Sequence, residues 1–68
     1  MKPKGSLVSV VYPSAFYERG EINQHGYHFD LRIGELLVYL GEINTYDYML
    51  CVARGRIGWV GKEAVRWV

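Results

Sequence analysis

Apolar residues in this chain fall in short runs and period-two alternations, separated by glycine and proline, and residues 13–33 have no helical period. Five of the six residues from Leu7 to Tyr12 are apolar, which predicts a first strand. Pro13 ends it, because proline has no N–H to give to a ladder. Residues 13–33 are more polar and irregular. A structureless loop of that length is unusual in a small domain, so the segment reads as a long hairpin-like excursion. One arm lies near Phe16-Tyr17-Glu18, and the turn lies between Gly20 and Gly26. The return arm sets Tyr27, Phe29 and Leu31 against His28, Asp30 and Arg32.

The apolar run Leu36 to Leu40 predicts the second core strand, followed by a loop over 41–45. Tyr46 to Arg54 is the third strand and Arg56 to Val60 the fourth. Between them Arg54-Gly55 or Gly55-Arg56 makes a tight turn, where Gly55 takes a positive φ at little cost. Gly61-Lys62-Glu63-Ala64 has the length of one 3₁₀ turn. Val65 to Val68 is the fifth strand. Residues 1–6, with Pro3 and Gly5, read as a flexible lead, and 7–68 as a single domain.

Composition narrows the class. A chain of 68 residues is one domain near the lower limit of independent stability. Six Tyr, two Trp and two Phe supply large contact areas, and with eight Gly they favour an all-β fold with tight turns. Cys51 is the one cysteine, so there is no internal disulfide, and a reducing, cytoplasmic setting is expected. Its run, Met49-Leu50-Cys51-Val52-Ala53, marks it as a small buried hydrophobe rather than a nucleophile. Eight cations against seven anions do not indicate a nucleic-acid partner by bulk charge. The apolar runs are far shorter than a membrane span.

Two motifs carry a family resemblance. Leu31-Arg32-Ile33-Gly34-Glu35-Leu36-Leu37-Val38-Tyr39-Leu40 and, later, Gly55-Arg56-Ile57-Gly58-Trp59-Val60-Gly61-Lys62-Glu63-Ala64-Val65 resemble the diverging turn and the closing hairpin of SH3-like domains. The likeness spans about residues 7–68. It implies a five-stranded SH3-like barrel with a long excursion and one 3₁₀ turn before the last strand. Trp59 and Trp67 are then large enough to fill or cap the barrel. In that family, proline-rich peptides lie on an aromatic platform. The residues at matching places here are Tyr12, Phe16 and Tyr17, with Tyr46 or Tyr48 where the family has Trp. Gly61 and Ala64 stand where it has Pro and Tyr, so two walls of the usual groove are missing.

No residue pattern supplies chemistry. There is no nucleophile–base pair, carboxylate pair or phosphate loop, so the chain is expected not to be an enzyme and to use no cofactor. His25 and His28 lie three apart without further ligands, so no metal is expected. Three roles follow. The first is a protein-binding adaptor using Tyr12, Phe16, Tyr17, Tyr46 and Tyr48. The resemblance, with this size, matches small open reading frames of bacteriophage and mobile elements, where a host-directed adaptor would be natural. The second is nucleic-acid binding by a basic edge of Arg54, Arg56, Lys62 and Arg66 with Lys2 and Lys4, the tyrosines stacking on bases. The third is a homo-oligomer using an uncovered strand edge.

Overall fold

The computed structural model describes residues 2–19 and 26–68. The turn expected between Gly20 and Gly26 and the side chain of His25 lie outside the described residues. Alternating apolar residues form β1 (Leu7–Val10), β2 (Ser14–Tyr17), β3 (Tyr27–Leu31), β4 (Leu36–Ile43), β5 (Tyr48–Ala53), β6 (Arg56–Gly61) and β7 (Val65–Trp67). A 3₁₀ turn, Lys62–Ala64, precedes β7. All seven strands belong to one antiparallel sheet in the order β3-β2-β6-β5-β4-β1-β7, and no α-helix occurs among the described residues.

The strand count among the described residues is therefore seven rather than five. Both arms of the excursion are themselves strands, paired with Phe16 opposite Phe29. Even two stacked sheets lie only about 10 Å apart, yet the smallest extent of the Cα trace of this single sheet is 21 Å. The sheet must curl around its own contents. It does not close, since β3 and β7 end the strand order without pairing. Residues 41–43, expected in a loop, continue β4. They are absorbed by a bulge in which Tyr39 faces Cys51 and Ile43 faces Met49, so four steps on β4 span two on β5. Gly41, at φ 93°, permits that bend. The lead is also tied down. Gly5 N–H donates to Tyr39 C=O (2.7 Å), and Tyr39 N–H donates to Ser6 C=O (2.8 Å).

One side chain in two from each strand turns inward. Val8, Val10, Phe16, Leu37, Tyr39, Cys51 and Val60 are fully buried, each aliphatic or aromatic one contributing roughly 1.5–3 kcal/mol. Phe16 stacks on Phe29 with ring centroids 5.3 Å apart. Trp67 meets Tyr39 edge-on at 5.1 Å and so caps the core from its rim. Trp59 does not fill the core, because the inward positions of β6 are its neighbours Gly58 and Val60. Gly58 is where β2 crosses closest. A Cβ there would lie 2.6 Å from the Tyr17 carbonyl oxygen and 2.7 Å from the Phe16 ring.

The β5–β6 hairpin turns on two residues, Arg54 and Gly55, with Ala53 opposite Arg56. Both central residues have positive φ, 52° and 78°, the mirror-image turn whose twist matches the strands. An arginine in that region is strained. Its side chain is held by four contacts. The guanidinium forks onto Glu35 (Nε to Oε2 2.8 Å, NH2 to Oε1 2.8 Å), donates to Asp30 C=O (3.1 Å) and lies 4.3 Å over the Phe29 ring. Glu35 also accepts from the Arg32 N–H of its own turn (3.1 Å). One carboxylate thus joins the diverging turn to the hairpin turn. The hydrogen bond from Arg54 holds the Glu35 carboxyl below its ordinary range.

Candidate functional site

A strand with one solvated face alternates apolar and polar residues. β4, β5 and β6 do not. The positions that turn away from the core are Leu36, Val38 and Leu40 on β4, Tyr48, Leu50 and Val52 on β5, and Ile57 and Trp59 on β6. Register aligns them in rows. Leu7, Val38, Val52 and Ile57 stand side by side across β1, β4, β5 and β6. Leu50, Trp59 and Tyr17 form a second row across β5, β6 and β2. Such cross-strand neighbours are within contact distance, about 4.5–5.5 Å between Cβ atoms. Leu36 and Ile57 are 57% and 62% exposed. The outside of the sheet is therefore an apolar surface in its own right, and contiguous patches of this kind mark interaction sites.

Aromatic rings border it at the β5–β2 side. Tyr17 and Tyr48 stack at 6.0 Å with planes 14° apart. The loop before β5 is shaped by Asn44, whose Oδ1 accepts from the N–H groups of Tyr46 and Tyr48 (3.0 Å each). That arrangement is a local Asx turn, and it carries Asp47 at φ 61°. Tyr46 is 48% exposed and Tyr12 59%. The 3₁₀ turn bridges the two segments: Tyr12 N–H donates to Ala64 C=O (3.3 Å), and Lys62 N–H donates to Asp47 C=O (2.8 Å).

Four of the five aromatic candidates thus keep accessible surface, and Tyr17 and Tyr48 are in contact. Phe16 is the exception. It is fully buried and belongs to the core, because strand alternation that turns Tyr17 outward turns Phe16 inward. Trp59, Ile57, Val52, Leu50 and Val38 lie on the same outward face and were absent from the sequence-derived set. For Val38, Leu50 and Val52 the signal was the unbroken apolar runs Leu36–Leu40 and Tyr48–Val52.

Gly61 stands where the resemblance expects proline. Its φ is −59° and ψ 129°, and a Cβ there would meet nothing within 4 Å. The Lys62-to-Asp47 bond makes Tyr48–Gly61 a non-hydrogen-bonded pair, so the Gly61 N–H points away from β5. The backbone is already shaped for proline, and the wall is missing only as a side chain.

The basic residues are not all brought together, although Lys62 and Arg66 line one cleft. Arg54 is committed to Glu35, Asp30 and Phe29. Arg56 begins β6 and Lys62 follows its end, about 20 Å away at 3.3 Å per residue. Lys62 is 3.8 Å from Asp47. Arg66, on β7, donates to the Val65 carbonyl (3.2 Å). Cys51 is buried, and desolvation pushes its thiol up to about 12. No group of three or more potential metal ligands occurs among the described residues, and no helix among them is long and apolar enough to cross a membrane. No family model, curated protein or solved structure matches the chain.

Proposed function

We propose that this chain is a non-catalytic protein-interaction module of the SH3-like type, and that its partner docks on the outward face of β4, β5 and β6 and the adjoining tyrosines. Support for the finer fold reading comes from the order of parts: a paired excursion between β1 and β4, a tight β5–β6 turn, and a 3₁₀ turn before β7. The observation that carries the functional reading is the row Leu7–Val38–Val52–Ile57, apolar on the side facing away from the core. An apolar centre bordered by Tyr and Trp has the composition of a protein interface. It is a poor match for phosphate, and the pairing of Arg54 with Glu35 gives the nucleic-acid alternative less support. The bare position at Gly61 favours a partner other than a proline-rich peptide.

A photo-crosslinking residue in place of Ile57 tests this, with the same residue at exposed Lys4 as control. The expected result is one dominant adduct from Ile57 and none from Lys4 in the native cytosol. The adduct mass separates a foreign protein from a second copy of this chain, which is the homo-oligomer alternative. Crosslinking only to diverse abundant proteins, equally from both positions, would remove the reading.

A further inference from the structure

A second surface lies on the other side of the sheet, independent of the outward face. The β4 bulge at Leu40 to Glu42 draws the end of β4 off its register with β5. Between that end and β7 lies a cleft of about 460 Å³, within the 300–1,000 Å³ typical of ligand sites. Buried Val8, Met49 and Val65 lie along it, with Ile43 and Trp67 also lining it. Its polar inventory is specific. Lys62, Glu63 and Arg66 also line it. Arg66 has no acidic partner among the described residues, and the nearest carboxylate to Lys62 is 3.8 Å away.

The backbone of β7 adds a further element. Val8 opposite Trp67 is a non-hydrogen-bonded pair, as the bonds Val68 N–H to Leu7 C=O and Val11 N–H to Ala64 C=O on either side require. The N–H and C=O of Trp67 therefore point away from β1, at the edge of the sheet. One extended residue laid alongside could exchange both bonds with it.

We infer that this cleft binds the C-terminal end of an extended peptide whose last residue is aliphatic. Its side chain rests against Ile43 and Trp67, above the buried Val8, Met49 and Val65. Its terminal carboxylate reaches Lys62 and Arg66. Its backbone pairs with Trp67. Glu63 disfavours an acidic side chain beside the terminus. A fatty-acid-like carboxylate offers the charge and the apolar body but nothing for the Trp67 amide and carbonyl, which is why a peptide is the better match.

The test is a fluorescence titration in a Trp59→Phe background, so that Trp67 is the sole indole. The probe is an acetylated alanine–serine hexapeptide ending in leucine with a free carboxylate. Its C-terminal amide and decanoate are the comparators. The expected result is saturable change with the free acid, at least tenfold weaker binding of the amide, and similar loss for the acid on Lys62→Gln with Arg66→Gln. Both of those side chains are exposed, so the variant folds. Tyr48→Ala, on the outward face, leaves the affinity unchanged, which keeps this test separate from that of the proposed function. No saturable change below millimolar peptide, equal binding of acid and amide, or decanoate binding as well as the peptide would each overturn the proposal.

Discussion

Gly58→Ala tests the packing on which the outward face depends. The added methyl would lie 2.6 Å from the Tyr17 carbonyl oxygen and 2.7 and 2.8 Å from two Phe16 ring carbons. Neither neighbour can yield cheaply. Phe16 is fully buried and stacked on Phe29, and the Tyr17 carbonyl is backbone at the Tyr17–Trp59 register pair that joins β2 to β6. Gly58 does not have a positive φ, so the cost is steric alone. Overpacking of a filled core costs about 1–3 kcal/mol, and contact with backbone places this case at about 2–3. Total stability at 0.05–0.15 kcal/mol per residue is roughly 3–10 kcal/mol for a chain of this size. The expected fall in melting temperature is then about 10–20 °C, at about 4–8 °C per kcal/mol. Gly61→Ala, three residues on in the same strand, meets nothing within 4 Å and is the control. Thermal unfolding followed by circular dichroism at neutral pH reads both. A Gly58→Ala melting point within 2 °C of the parent would refute the account of how β2 seats on β6.

Three further outcomes are expected. Gly61→Pro keeps φ and loses no bond to β5, so it should raise stability by about 0.4–1 kcal/mol through the unfolded chain, read as a higher denaturant midpoint with unchanged slope. Glu35 has a lowered carboxyl pKa when folded, so its stabilisation is complete above the unfolded value near 4.5 and is lost as pH falls through the folded value. Arg54→Ala should therefore lower the melting temperature at pH 7 and do so less at pH 3. The Cys51 thiol is raised to about 12, so its contribution is complete below the unfolded value of 9.0 and is lost as pH rises from there towards 12. Thiol labelling at pH 8 should proceed only at the rate of unfolding, and fast labelling of the native protein would contradict the burial.

Much of the fold could be read from the chain. Pro13, the alternation at Phe29 and Leu31, the glycine at 55 and the length of 62–64 each mark a local break or period, and each lies where it was expected. Boundaries that depend on tertiary pairing could not be read so. The bulge that carries β4 through Ile43 has its cause in β5, and the capture of Gly5 and Ser6 in Tyr39. The site was legible only in part. Tyr17 and Tyr48 are 31 residues apart, and only the β2–β6–β5 order brings their rings together. Of the basic candidates, sequence shows the charge of Arg54 but not that Glu35 and Phe29 already hold it.

The central claim is that the outward face of β4, β5 and β6 is a binding surface. Ile57→Lys tests it most directly, because Ile57 is 62% exposed and the folded state should tolerate the charge. The measurement is the affinity of the crosslink-identified partner for the parent and for this variant, with melting curves in parallel. The account predicts an unchanged melting temperature and at least tenfold weaker binding. Undiminished affinity in a folded Ile57→Lys protein would contradict it.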